Sequence, residues 1–420
     1  MKAAIFSLCL LSGLLFAQRR LDYFLTKAAD NSPVLREYWN LRSTNKVQKK
    51  LIAAQNSAFQ LSLGGDYLFA PYFNNNGDLV STNPSLDAIG YDVGITNGGL
   101  YSAQINLERN IFNGWTLNAL SRQVQIQDET FQYDYNLEKQ NLEKQVTDQY
   151  LSAYQFLLLS RLTAEVVGNL RQKLALTAEL VEKGFANSQD YLLLKIEMQS
   201  QDIAWKDTRM QYRSSLYQLY ALCGIEDTTV VDLEDVELTI GVINPHSRFI
   251  RKYELDSLAA VNQQEIFETK YWPQVKLFAN TGLNAVELNN IQRKFGISAG
   301  LRITLPILDG NQKNLIRQQN QIARNTIRVY RRFASHNIDM QRKNLRAHIQ
   351  SLEQSIHSLK QQMDDYRKLL DISVQQLRQG DISMIDYLTL LRNFIELRKN
   401  NIDMTIGYQQ EINNYNYWSW

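Results

Sequence analysis

Cysteine is almost absent from the 420 residues, with only Cys9 and Cys223 present. The first seventeen residues read as a signal peptide: Lys2 supplies the positive start, Ala4 to Leu15 the apolar run, and Leu15-Phe16-Ala17 a cleavage site before Gln18. Cys9 would leave with that segment, so no cysteine would stand at the new N-terminus to carry a lipid. Cys223 alone can form neither an intrachain disulfide nor a cysteine metal cluster. Prolines number six, at positions 33, 71, 84, 245, 273 and 306. After residue 17 no apolar run is long enough for a membrane-spanning helix. Charge of one sign is missing too: 45 basic residues face 43 acidic ones, which argues against nucleic acid as a partner. Of the four histidines, at 246, 336, 348 and 357, only the last two come close, and a separation of nine does not put two metal ligands on adjacent turns. Neither a phosphate-binding loop nor a dinucleotide fingerprint is present. These absences predict no catalytic residue, no metal site and no cofactor, so the chain is not read as an enzyme.

What the chain does have is helix, and in long pieces. Between Gly310 and Gly380 there is neither proline nor glycine, and Leu345, Ile349, Leu352, Ile356, Leu359, Met363, Tyr366, Leu370 and Leu377 form a 3–4 seam weakened only at Ser373. Such a seam packs against another helix. The stretch recurs upstream at an offset of 196 residues: Asn110 to Gly114 answers Pro306 to Gly310, and Gly184 with Asp190-Tyr191-Leu192 answers Gly380 with Asp386-Tyr387-Leu388. Sixty-nine helical residues, 115 to 183, would reach roughly 100 Å. That length suits a tube or a rod.

The duplication sets the organisation. A first repeat covers 18–224, with strands at about 59–70 and 99–109, a long helix 114–183 and a helix 188–222. A linker at 225–247 leads to a second repeat at 248–420, with strands at about 274–282 and 295–305, a long helix 310–379 and a helix 384–416. Each repeat opens on a further helix, over 21–57 and 247–270. Asn113 and Asp309 are expected to cap the long helices, Gly184 and Gly380 to end them. Asn187 to Asp190 and Ser383 to Asp386 both read as capping boxes.

In the four strands the period changes to two. Leu61, Leu63, Tyr67 and Phe69 alternate with polar or small residues, as do Tyr101, Ile105 and Leu107, then Val275 and Leu277, then Phe295, Ile297, Leu301 and Ile303. Strands of this length with one apolar and one polar face suit a wall between lipid and water. Gln104, Asn106, Glu108, Arg302 and Thr304 would line the watery side, with Tyr67, Phe69 and Tyr101 toward lipid. Four strands cannot close a barrel, and hydrocarbon tolerates no open edge. The chain would have to oligomerise, and three copies would supply twelve strands.

With this duplicated plan, the strand-to-helix signatures ending in Asn113-Gly114 and Asp309-Gly310, and the two matching turns, the chain resembles the TolC-like outer-membrane efflux proteins over essentially its whole mature length. The resemblance implies a mostly α fold with a transmembrane β-barrel: a homotrimer with a twelve-stranded barrel in outer-membrane lipid and a long helical tunnel through the periplasm. It implies a passive exit duct for efflux or type I secretion, coupled to an inner-membrane pump through a periplasmic adaptor that docks at the turns around Gly184, Asn187, Gly380 and Ser383. It also implies an iris-like gate at the helical tips. The family's pair of gate aspartates, three residues apart, falls on Asp386 and Thr389, so the second acid is missing here. In the first repeat Asp190 holds the equivalent place, and Asp381 is a further candidate for tip charge. The helices alone would equally suit a secreted or surface-attached coiled-coil structural or adhesion protein whose strands form a soluble head.

Overall fold

The computed structural model describes residues 19–68, 101–184, 186–244, 247–285 and 290–420. The segment 1–17 read as a signal peptide, and residues 69–100 with Phe69, Pro71 and Pro84, lie outside the described residues. The order is α1 (Leu21–Asn31), α2 (Pro33–Ser57), β1 (Gln60–Tyr67), β2 (Tyr101–Ile111), α3 (Gly114–Glu182), α4 (Ser188–Leu222), α5 (Arg251–Glu268), β3 (Gln274–Ala285), β4 (Phe295–Thr304), α6 (Gln312–Gln379) and α7 (Met384–Trp418). The chain divides into two compact units. One holds the residues up to Tyr38 with Tyr133–Arg251 and Arg332–Trp420; the other holds Trp39–Gln132 and Lys252–Arg331.

Local chemistry moves three boundaries from their expected places. The single helix expected over 21–57 is two, because Ser32 stands before Pro33 in an extended conformation (ψ 117°) that the following ring favours. Ser32 still serves both pieces: its N–H donates to Ala28 O at 2.9 Å, and its Oγ accepts from Leu35 N at 3.3 Å. The helix expected over 247–270 is a short 3₁₀ turn, then α5, then a second 3₁₀ turn over Thr269–Tyr271. Third, Asp309 does not occupy the cap position of the second long helix. Asn311 does, at φ 66°, while the Asp309 carboxylate reaches forward to accept from Lys313 N at 3.0 Å. The Tyr271 hydroxyl also donates to that carboxylate and, ahead of the backbone donors, holds its pKa below the usual carboxylate range. At α3 Asn113 does precede the first turn, but its side chain donates to Asn56 O instead of capping.

In the first unit the seam read from the sequence is the covered face of α6. Leu345, Ile349 and Leu359 are buried, and the rest of the seam is half-buried. Ser373, its weak position, is 1% exposed and donates back to Leu369 O at 2.7 Å, which satisfies the hydroxyl without a partner helix. The main core joins α1, α3 and α4 around Phe24, Tyr150, Leu151, Leu216 and Leu219. The Phe24 ring lies 5.6 Å from Tyr150 and 6.2 Å from Tyr220.

Over this core runs the segment read as a linker. Three tyrosines on α3 and α4 hold it by its carbonyls: Tyr150 donates to Glu234 O at 2.7 Å, Tyr212 to Val231 O, and Tyr220 to Thr229 O at 2.7 Å. Burial pushes the Tyr220 phenol up to about 12. Further along, Leu238 N donates to Gln409 Oε1 at 2.7 Å and Gly241 N to Asn416 Oδ1 at 2.6 Å, both acceptors on α7. The linker is therefore a strap tied to three helices.

The described strands of the second unit form an antiparallel sheet in the order β1-β2-β3-β4. Beside it, buried carboxamides join helices: Asn45 on α2 donates to Val124 O at 2.8 Å, and Asn262 on α5 donates to Ala119 O at 3.0 Å.

Candidate functional site: the sheet faces and the helix tips

Opposed residues in an antiparallel pair share a face, so the register decides whether four alternating patterns make two uniform surfaces. They do. Leu61 faces Leu107, Leu63 faces Ile105, and Tyr67 faces Tyr101. Thr281 joins Ile105 to Ile297, and Leu277 lies opposite Leu301. On the reverse side Gln60 faces Glu108, Ser62 faces Asn106, Asn106 faces Asn280, Asn280 faces Ser298, and Gln274 faces Thr304. Gln104, Asn106, Glu108, Arg302 and Thr304 thus lie on one surface. No helix layer covers either face among the described residues. Leu63 is 81% exposed and Ile297 80%.

Two residues interrupt the pattern. Phe278 stands on the polar face, packed over Gly300, where any Cβ would come within 2.8 Å of its ring. The Arg302 guanidinium lies 5.5 Å from the same ring's centroid. Arg109 stands on the apolar face at the end of β2 nearest α3, stacked 4.9 Å over Phe59. A cation there can reach its charge outward along an apolar surface. Elsewhere on the polar face Lys276 pairs with Glu108 at 3.5 Å, and Ser102 donates to Asp66 at 3.1 Å.

The helix tips lie in the other unit and are near copies of each other. Gly184 (φ 75°) and Gly380 (φ 83°) supply the left-handed residue that ends α3 and α6. At the second tip Gly380 N returns to Leu377 O at 3.3 Å and Asp381 N to Gln376 O at 2.9 Å. The N-caps then differ. Ser383 and Asp386 form the full reciprocal box: Asp386 N donates to Ser383 Oγ at 3.2 Å, and Ser383 N and Oγ donate to Asp386 Oδ2 at 3.2 and 2.6 Å. The Ser383 hydroxyl, then its backbone N–H, hold the Asp386 carboxyl below the usual range. Asn187 caps its helix without the expected box, accepting from Gln189 N at 3.0 Å in place of Asp190 N. Asp190 is half-buried, whereas Asp381, Asp386 and Thr389 are exposed. The Thr389 hydroxyl turns inward to donate to Ile385 O at 2.8 Å.

Charged contacts that the sequence did not point to hold the two hairpins together above the tips. Glu197 on α4 is 2% exposed, and Arg392 on α7 grips its Oε2 with Nη2 at 2.6 Å and Nε at 2.7 Å. Gln201 donates to its other oxygen at 2.9 Å. Nearer the middle, Arg398 makes a two-pronged bond to Glu165 at 2.8 and 3.0 Å, which lowers the pKa of that carboxyl. Lys173 donates to the Tyr387 hydroxyl and sits 4.4 Å from that ring's centroid.

This combination of a two-faced, single-layer sheet with paired long helices is the fold of outer-membrane channel proteins. The chain is similar to the outer membrane protein VceC of Vibrio cholerae, with a TM-score of 0.71 and 13% identity over 95% of each chain. It is similar to CusC, described for its folding and transmembrane channel formation, at 0.73 and 14%, over 96% of this chain and 92% of that one. Against the CmeC outer membrane channel of Campylobacter jejuni the values are 0.70 and 12%, over 95% and 85%. No protein-family model and no curated protein matches the sequence.

Proposed function

We propose that the chain is the outer-membrane duct of an efflux or type I secretion system, a passive conduit fed by an inner-membrane pump through a periplasmic adaptor. The carrying observation is the bare sheet. Eight apolar side chains on one face (Leu61, Leu63, Tyr67, Ile105, Phe295, Ile297, Leu301 and Ile303) are mostly or nearly half exposed. At about 1.5–3 kcal/mol for each side chain left in water, the forgone stabilisation rivals the whole net stability of a typical fold, about 5–15 kcal/mol. A lipid environment removes that cost. The polar face then lines water, with Gln104, Asn106, Glu108, Arg302 and Thr304 as lumen residues.

Three copies supply twelve strands and leave no open edge in hydrocarbon. A second feature supports association: Leu315, Ile322, Val329, Phe333 and Met340 form an exposed stripe on α6, opposite its covered seam. Three chains are the expected mass of the detergent-extracted protein, recovered from the outer membrane. A monomeric mass, or a freely soluble protein, would favour the coiled-coil rod.

At the tips, the turns at Gly184, Asn187, Gly380 and Ser383 offer the adaptor its docking points, and Asp386 projects from an exposed turn. In three copies it forms a ring of negative charge that attracts cations. Asp386→Asn is expected to lower cation selectivity and cation block in planar bilayers. The same substitution removes a pH dependence. The folded pKa is depressed, so the stabilisation is present above the unfolded value, about 3.9, and is lost as pH falls through the folded one. If selectivity moves with Asp381→Asn instead, the ring belongs to Asp381 and Asp386 is a cap.

A further inference from the structure

We propose that a second copy of the chain joins β1 to the free edge of β4 in one defined register, with Asp66 of one copy directly opposite Arg302 of the next on the polar face. The proposal rests on the oligomeric channel reading above and adds the seam that closes it.

The register follows from the duplication. β2 and β4 correspond at the offset of 196 that relates Gly114 to Gly310. Within each repeat the hairpin pairing is the same: Gln60 opposes Glu108, and Gln274 opposes Thr304, which is Glu108 carried forward by that offset. The two hairpins are thus equivalent residue for residue, with β1 and β3 related by the step from Gln60 to Gln274. The chain contains one junction between unlike repeats, β2 with β3, where Asn106 opposes Asn280 and Ile105 opposes Thr281. In a closed ring the junction from β4 to the next copy's β1 is the other instance of the same contact. Carrying the observed register across puts Arg302 opposite Asp66, Leu301 opposite Tyr67, and Thr304 opposite Gly64. Polar meets polar and apolar meets apolar, as a continuous wall requires.

The charges within one copy point the same way. The intrachain neighbour directly opposite Arg302 is Lys276, a repulsive like-charge pair. Lys276 turns away to Glu108 at 3.5 Å, leaving Arg302 over the Phe278 ring. On the opposite edge Asp66 accepts from the Ser102 hydroxyl. Among the described residues neither Asp66 nor Arg302 has an ion-pair partner. A slip of two residues keeps every face correct but places Arg302 opposite Gly64 or Leu68 and loses the pair. The ion pair is therefore what selects this register among those the pleat permits.

Directly opposed strand residues have Cα atoms about 4.5–5.5 Å apart, within disulfide reach of about 4.4–6.8 Å. The full-length chain with Asp66→Cys and Arg302→Cys, oxidised in detergent after its native mass is measured, is expected to give covalent oligomers on a denaturing gel. Gly64→Cys or Leu68→Cys, each with Arg302→Cys, should not. A charge test runs beside it: Arg302→Asp should lose heat resistance of the oligomer, and adding Asp66→Arg should restore it. A native trimer that crosslinks only in a shifted pair, or a charge swap without rescue, overturns the seam and leaves the channel reading standing. A monomeric native mass overturns both.

Discussion

Arginine in place of Leu301 or Ile303 is expected to abolish assembly in the outer membrane, while arginine in place of Ser298 leaves assembly intact and changes conductance. Leu301 and Ile303 lie on the apolar face at 61% and 69% exposure, opposite Leu277 and Val275. Ser298 lies on the other face, opposite Asn280. A lipid-facing arginine costs about 2–4 kcal/mol near the bilayer midplane. Three copies multiply this to roughly 6–12 kcal/mol per trimer, whereas three arginines on the watery face stay in water. The measurement is the heat-resistant oligomer in the outer-membrane fraction, scored beside single-channel current. Equal assembly defects on both faces would point to a soluble sheet buried on two sides.

The second large effect is expected at the helix hairpins. Arg392→Ala leaves the Glu197 carboxylate buried with one remaining donor, Gln201. Removing one partner of a buried pair costs about 3–5 kcal/mol, and the lower end applies because the Arg392 side chain is 58% exposed. The thermal midpoint of the helical signal should fall, and trypsin should cut α4 and α7 sooner. Replacing both partners together, Glu197→Leu with Arg392→Met, should recover most of the loss, since the expense lies in the stranded charge. An unchanged midpoint in Arg392→Ala would mean that water or another cation reaches Glu197.

These two cases mark what the sequence can express. The faces of β1 to β4 are legible because strand alternation is a strict period, and a one-residue slip would have exposed the error in every cross-strand pair. The seam from Leu345 to Leu377 is legible for the same reason at the helical period. Glu197 is not. On its helix it reads as one more solvated charge, and only the approach of α7, almost two hundred residues later, buries it beside Arg392. The caps fall between these cases. Ser383 to Asp386 closes the box because a short hydroxyl reaches the third backbone donor, whereas the Asn187 carboxamide meets the second donor, Gln189 N. Asp309 stands two residues before the cap, because the chain passes through Gly310 and a left-handed Asn311 before α6 begins.

The strap over the first unit has a consequence for how this protein can change. Tyr150, Tyr212 and Tyr220 grasp carbonyl oxygens at Glu234, Val231 and Thr229, and every amino acid supplies the same oxygen. The grip is blind to the outward side chains along the segment. Val230 and Glu237, both exposed, can drift in sequence or carry an epitope while the anchors remain. Selection on this segment should therefore be read on the inward Val231 and Leu233, both buried in the core, and on three hydroxyls belonging to other helices.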